Sequence, residues 1–411
     1  MADSTSVNRS NLNYFRSRRV GRGEVQRPWL DQKDPRQKWQ TIIPCIGIGI
    51  GIIVSALGCW QGYTSVHNYN YCPVLVEDFS SGILDSNIWT KEVEVGGFGN
   101  GQFEETTDTD ENVFIHQGEL WIKPTIQNAS LIENNSILNL TQQGICTSAD
   151  QSSCVATTNV TNGTIVNPVK SARINTIKGA IIKYGRVEVI AQLPSGDWMW
   201  PAIWLLPVNN TYGPWPASGE IDIAESRGNS HSYQSGGNNV VASTLHWGPD
   251  SSTDAWARTS KKTESLHITY SAGFHTFGLE WSSKYLITYI DSRLAQVLYV
   301  PFKSPRWAQG DFPSAMANGT RIVDPWSQTG SDSTPFDQPF YLILNVAVGS
   351  TNSWWKDGVD GKPWVDASVT AKKDFWDARD QWLPTWGSNG QMRIRSVKMW
   401  QQAGYEGCKE G

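Results

Sequence analysis

The hydrophobic pattern of the chain changes character twice. Residues 1–40 show no apolar period, only scattered aromatics among charged and polar positions. Residues 41–60 carry no charge and are mostly Ile, Gly and Val, a run of about the twenty residues a helix needs to cross a bilayer. After a linker at 61–72, apolar and polar positions alternate in short runs broken by Gly, Pro, Asn and Asp, the two-residue period of half-buried strands. The runs at 112–122, 181–192, 239–246, 274–290, 340–348 and 392–401 are the clearest, and 371–382 is a candidate helix. Many short strands without long helical periods predict an all-β sandwich over 73–402, followed by a tail at 403–411.

One strand breaks its own alternation. In Ser218-Gly219-Glu220-Ile221-Asp222-Ile223-Ala224-Glu225-Ser226, Glu220 and Asp222 share a face, but the third acid arrives one residue late for it. A β-bulge at Ile223 or Ala224 would return Glu225 to that face, and bulges favour sites where a side chain has to be re-aimed. Four strand intervals still separate the glutamate backbones by about 13 Å, so the side chains must lean together across a curved sheet. A retaining glycosidase needs two carboxyls about 5–5.5 Å apart, one a nucleophile and the other an acid and then a base. A middle acid can orient the nucleophile and, by like-charge repulsion, keep a neighbour protonated. The chain also carries 21 tryptophans in 411 residues, an excess that suits stacking on sugar rings.

The runs Ser171-Ala172-Arg173-Ile174, Tyr184-Gly185-Arg186-Val187-Glu188-Val189, Trp200-Pro201-Ala202-Ile203-Trp204-Leu205-Leu206-Pro207 and Gly219-Glu220-Ile221-Asp222-Ile223-Ala224-Glu225 resemble glycoside hydrolase family 16. The resemblance is to its bulged laminarinase branch, the endo-β-1,3-glucanases and the related invertebrate β-1,3-glucan-recognition proteins, and it covers roughly 73–402. It implies a jelly-roll sandwich whose concave sheet forms the substrate cleft. It implies Glu220 as nucleophile, Asp222 as its supporting acid and Glu225 as acid/base. It further implies sugar contacts from Asn100 in Phe98-Gly99-Asn100, from Arg173, and from Trp200, Trp204 and Trp215, with His246 beside the acid/base. Read without it, Asn100 is a turn residue between glycines, Arg173 a surface ion pair, Trp204 a core residue under the sheet and His246 a core histidine. Trp247 is core or cleft wall, and Asn345 is read as structural. Many of the recognition proteins lack the catalytic glutamates, whereas this chain has both, which favours an enzyme. Family members often hold one structural calcium on the convex face through backbone oxygens; no other cofactor and no catalytic metal is expected.

The first forty residues hold nine Lys/Arg against four Asp/Glu and read as a disordered basic tail. Cations precede the apolar span and do not follow it, which places the N-terminus in the cytosol and 61–411 outside. A forty-residue leader favours an uncleaved anchor over a signal peptide. Beyond the span, sequons stand at Asn128, Asn134, Asn139, Asn159, Asn162, Asn209 and Asn318, and five of them crowd a Ser/Thr/Asn-rich stretch, 126–168, that reads as a glycosylated loop inserted in the domain. Beyond the span the cysteines are Cys72, Cys146, Cys154 and Cys408. Pairing Cys146 with Cys154 would close the insertion and Cys72 with Cys408 would tie the domain's ends, other pairings remaining open. Cys45 and Cys59 are expected unpaired. Net charge is −5 overall and +5 in the tail, so the remainder, at −10, disfavours nucleic acid and suits a neutral polysaccharide. Gly47 and Gly51 belong to a Gly-Ile repeat, and a monomer is expected. No HExxH, P-loop, dinucleotide fingerprint or GxSxG elbow occurs. The sequence thus points to a membrane-anchored retaining hydrolase of β-1,3- or mixed-linkage glucan, with a cell-wall transglycosylase and a non-catalytic glucan receptor as alternatives.

Overall fold

A computed structural model describes residues 17–409 apart from 22, 32–33, 66–68, 317 and 406. The chain divides into two units, Met1–Asn68 and Tyr69–Gly411.

In the first unit the uncharged run lies within one 29-residue helix, Gln37–Ser65, which starts before and ends after the expected 41–60. Its stretch Gln37–Thr64 is long and apolar enough to cross a membrane. At 1.5 Å per residue it extends about 43 Å, more than a hydrocarbon core of about 30 Å, so a turn or more at the ends would lie among headgroups. The expected tail is not uniformly structureless: Pro28–Asp31 forms one helical turn and Arg18 pairs with Glu24. Arg16 and Arg22 lie outside the described residues.

The second unit is the sandwich. One sheet runs, in spatial order, Ser260–Glu264, Val240–His246, Glu220–Ser226, Met199–Pro207, Phe340–Val348, Arg173–Asn175 and Thr90–Glu92. The other runs Gln296–Pro301, Tyr285–Ile290, His275–Trp281, Gly185–Gln192, Met392–Gln402, Glu119–Ile122 and Val113–His116. Alternation explains how they meet. Val187, Val189 and Ala191 of one sheet and Ile174, Leu344, Ile203 and Ile221 of the other are all fully buried, while their neighbours in sequence turn away. The expected runs 112–122 and 274–290 are each hairpins; the first turns at Gln117-Gly118, both at positive φ. The candidate helix at 371–382 is present as Ala371–Asp377 followed by Arg379–Trp382.

The first strand, Tyr71–Glu77, pairs with the last, Met392–Gln402, and the Cys72–Cys408 disulfide sits beside that pairing. The domain therefore begins at residue 69–71 and not 73, and the linker is shorter than expected. All strands, both disulfides and both hydrophobic clusters belong to Tyr69–Gly411, so this unit carries everything needed to fold alone. Eleven of the 21 tryptophans are buried in it, which returns much of the aromatic excess to the core.

The insertion at 126–168 departs from expectation. It is not a simple exposed loop but a small layer with its own apolar cluster. A helix Ala129–Glu133, N-capped by Asn128, and a hairpin of Ser136–Asn139 with Val155–Thr158 bury Ile132, Leu138, Leu140, Ile165 and Val166 against Val93, Val95 and Trp376. Cys146 and Cys154 are joined within it. The sequon asparagines 128, 134, 159 and 162 stay exposed on this layer, and Asn139 is half-buried.

Candidate active site

The bulge lies where the sequence puts it. On one side Ile203 faces Ala224 and Trp204 faces Asp222, leaving Ile223 without a partner. On the other side Thr244 faces Asp222 and Ala242 faces Glu225, with Ser243 alone between them. The carbonyl that the bulge frees at Ile223 accepts a 2.6 Å hydrogen bond from Ser243 Oγ, so the extra residue leaves no unpaired buried acceptor there. Ile221 and Ile223 point into the core, and Glu220, Asp222 and Glu225 share the cleft face. Gly219, at φ +82°, turns the chain into this strand.

Each acid has a distinct clamp. Trp215 Nε1 donates to Glu220 Oε2 at 2.6 Å, and Trp200 Nε1 donates to Glu225 Oε1 at 3.0 Å. His246 faces Glu220 across the strands; its Nε2 lies 3.3 Å from Asp222 Oδ2 and its Nδ1 shares a 2.6 Å hydrogen bond with Asp254 Oδ2. Asp254 is itself held by the backbone N–H groups of Trp247 and Trp256.

Burial and mutual repulsion raise all three carboxyls. Glu220 is pushed to about 8 by burial and by Asp222, Glu225 to about 7 by burial and Glu220, and Asp222 to about 6 by burial and Glu225. Burial alone would lower the His246 pKa, but its hydrogen bonds to Asp222 and Asp254 and the charge of Glu220 carry it well above the usual value. The row is therefore a proton-holding cluster, with an imidazole beside it that its acidic neighbours hold toward the protonated form. Glu220 is its most basic carboxyl, so the division of labour between Glu220 and Glu225 comes from the order of the motif and not from these pKa values.

The remaining expected residues spread along the same face. One row across the sheet reads Glu92, Arg173, Asn345, Ala202, Glu225. Arg173 lies 3.0 Å from Glu92 Oε2, with its guanidinium between the rings of Phe98 at 4.1 Å and Trp204 at 4.7 Å. It is buried in the cleft floor, not in a surface pair. Trp204 is half-buried on the cleft side and donates to Asn345 Oδ1 at 2.7 Å, which corrects the core alternative for Trp204 and places Asn345 in the cleft. Trp247 is fully buried.

Trp200 was expected to stack on a glucose ring. It is only 8% exposed, and Trp354 covers one of its faces at 4.5 Å and 10°, so little of its plate is open. Trp215, 43% exposed and beside Glu220, has the open face that stacking needs, and a shallow pocket lined by Leu206, Asn210 and Tyr341 opens next to it. Asn100 is a turn residue that also accepts from Asn352 Nδ2 at 3.0 Å. Sequence reasoning missed Asp254, Glu92, Arg227 and Trp354; only the Trp354-Trp355 doublet gave a signal.

Glu220, Asp222 and His246 bring ligand-type atoms within 4.8 Å of one another, and among the described residues they form the one such grouping of three acidic, histidine or cysteine side chains. The imidazolium already supplies positive charge beside these carboxylates, so no metal role is assigned to them.

Comparison with known proteins bears on the family and the fold. Residues 127–331 match the description "Glycosyl hydrolases family 16". A β-1,3-glucan-binding protein of Penaeus monodon is 35% identical over 82% of this chain and 92% of its own length. A glucan endo-1,3-β-glucosidase of Cryptopygus antarcticus is 36% identical over 45% of this chain and 58% of its own. The laminarinase from Rhodothermus marinus superposes with a TM-score of 0.51 at 25% identity, covering 82% of this chain and all of that one. The chain belongs to glycoside hydrolase family 16.

Proposed function

We propose that this protein is a retaining glycoside hydrolase of β-1,3-glucan or mixed β-1,3/1,4-glucan, held at a membrane by Gln37–Ser65 with Tyr69–Gly411 on the extracellular or lumenal side. The observation that carries the reading is the bulge, which gathers three carboxyls, Asp222 buried and Glu220 and Glu225 half-buried, on one cleft face. Sugar recognition alone needs no such row of repelling acids, whereas double displacement needs two of them and a means of setting their protons.

In this reading the Glu220 carboxylate attacks the anomeric carbon from one side. The proton on Glu225 passes to the glycosidic oxygen as its bond to that carbon breaks, releasing the first product and leaving a glycosyl ester on Glu220. Glu225, now ionised, takes a proton from water, and the hydroxide oxygen bonds to the same carbon as the ester breaks. Asp222 and the His246 imidazolium fix the charge around Glu220, and the Trp215 N–H stabilises its carboxylate. Substrate binding itself falls to Arg173, Trp204 and Trp215.

A second reading, a glucan-binding receptor without activity, is favoured by the name of the Penaeus monodon relative. Incubating unit 69–411 and its Glu220→Gln variant with laminarin, lichenan and chitin, and sizing the products, separates the two. Shorter glucans from the wild type alone support hydrolysis, and longer ones mean transfer to a sugar hydroxyl. Binding of laminarin by both with no change in its length establishes the receptor.

A further inference from the structure

Trp354 lies outside every strand and was not expected to matter, yet its ring packs against both Trp200 and Arg227. Its ring lies parallel to that of Trp200, with centroids 4.5 Å apart and 10° between the planes. The Arg227 guanidinium carbon sits 4.1 Å from its ring centroid, and Arg227 Nη2 donates to the Trp354 carbonyl at 2.5 Å. Such a stack fixes a ring's plane as well as its position. Trp354's own indole nitrogen is buried and has no hydrogen-bond partner among the described residues, so its packing works through its ring.

The loop that carries Trp354 is stapled from within. Lys362, fully buried, donates to the Trp355 carbonyl at 3.0 Å and pairs with both Asp357 and Asp366. A buried ammonium with three oxygen partners is costly to disrupt, so the loop meets the cleft as a rigid wall.

The consequence lies at the edge of Trp200, where its Nε1 donates to Glu225 Oε1. We propose that Trp354 is a positioning residue for the acid/base: by stacking on Trp200 under the hold of Arg227, it keeps the Trp200 N–H on Glu225. This rests on the hydrolase reading for its kinetic meaning but not for its structural one. Glu225 is otherwise faced by Glu220 and Asp222 on its own strand, by His246 and Lys262 from the neighbouring strands and by Arg227, and of these Arg227 alone packs on the ring of Trp354, while its hydrogen bonds to the Trp354, Ser235 and Gly236 carbonyls hold it from the backbone. Loss of the indole donor removes a hydrogen bond that favours the ionised carboxyl, so Glu225 should hold its proton to higher pH.

The test uses unit 69–411 with carbon-13 in the glutamate carboxyls. The Glu225 signal is assigned by its loss in Glu225→Gln and followed against pH in Trp200→Phe, Trp354→Ala and Trp354→Phe. Trp200→Phe and Trp354→Ala are expected to move the Glu225 titration up by about one pH unit, the scale of one hydrogen bond to a charged group, while Trp354→Phe, which keeps a flat face, stays near wild type. In activity on laminarin, Trp354→Ala should move the alkaline limb of kcat/KM upward by the same amount and lower kcat with KM unchanged. If Trp354→Ala does not fold, Trp354→Met, which keeps bulk and loses the flat face, is read in its place. An unmoved Glu225 titration in the Trp354 variant, with or without a shift in Trp200→Phe, overturns the proposal. A wild type that cleaves no glucan sinks the hydrolase reading, and the carboxyl titration still decides the role of Trp354.

Discussion

Asp254 Oδ2 and His246 Nδ1 share a 2.6 Å hydrogen bond that fixes which way the imidazole faces, and the ring's other nitrogen then lies 3.3 Å from Asp222. With a carboxylate on each side, the histidine keeps its proton well above its usual range. A positive charge thus stands beside three acids that burial alone would push still higher, and it lowers the pKa of each.

Replacing that charge should therefore show in the pH profile. In His246→Gln the carboxyls lose their cation and their pKa values rise. The acid limb of kcat/KM, which reports ionisation of the attacking carboxylate, should move to higher pH by about one unit, a tenfold loss of rate below it. Asp254→Asn, which keeps the ring but weakens its hold on the proton, should move the limb the same way by less. The pH dependence of laminarin hydrolysis by the three proteins checks this, and an unmoved acid limb in His246→Gln removes the histidine from the charge balance of the site.

The same raised pKa values make a statement about stability. Glu220 holds its proton to about 8 in the folded chain against 4.5 for an ordinary glutamate, and buried Glu104, raised by burial, holds its own to about 7. The folded state thus binds more protons than the unfolded chain over this window. The contribution of these groups is fully present below about pH 4.5 and is lost as pH rises through 7 and 8. Glu220→Gln removes one such group, so its Tm should exceed that of the wild type by a few degrees at pH 8, with the gain shrinking toward pH 5. Thermal melts of unit 69–411 at the two pH values read this directly; an equal Tm at pH 8 would mean the cleft imposes no strain on Glu220.

How much of this could be read from residues alone follows their range of interaction. The bulge was legible because a two-residue period is a local property: Glu220 and Asp222 keep it and Glu225 does not. Of the pairings that four cysteines left open, the fold makes the one that joins the close pair and the two ends. The tryptophans were not legible, since Trp200 and Trp204 share a face of one strand yet differ in what covers them. Trp354, about 150 residues away in sequence, lies on Trp200, while Trp204 keeps part of its surface. Asn345 and Trp204 likewise meet only because their strands are neighbours in the sheet. The insertion was misjudged because its polar composition describes its surface, while the residues that build its small core, Val93, Val95 and Trp376, lie elsewhere in the chain.

Arg173 offers a test of the cleft floor. Its guanidinium is planar and is held between two rings while it lies 3.0 Å from Glu92. Lysine keeps the charge but not the plane. Arg173→Lys should therefore raise KM or Kd for laminarin about tenfold, the loss of roughly one stacked cation contact and the fixed geometry of the Glu92 ion pair, with kcat nearly unchanged because the carboxyl row is untouched. Calorimetric titration of the Glu220→Gln background with laminari-oligosaccharides isolates the binding term. A fall in kcat with unchanged Kd would instead place Arg173 in the chemistry.

The topology has a test of its own, because seven of the eight sequons follow the apolar helix in sequence and one, at Asn8, precedes it. Asn128, Asn134, Asn159 and Asn162 are exposed on the insertion layer, and Asn209 and Asn318 are exposed elsewhere in the same unit. None can be glycosylated unless 69–411 reaches the lumen, and positive charge ahead of the span is what sends it there. Expressed with its whole chain in a eukaryotic cell, the protein should stay with membranes through alkaline extraction. It should also lose several kilodaltons on treatment with an N-glycan-cleaving amidase, since each core glycan weighs about 2 kDa and several sites are open. Removing 1–60 in favour of a cleaved secretion signal should release a glycosylated protein to the medium with its sugar-binding unit intact. A full-length chain that is membrane-bound but unglycosylated would put the sandwich in the cytosol, where neither its disulfides nor an external glucan would be expected, and the anchor orientation proposed above would have to be reversed.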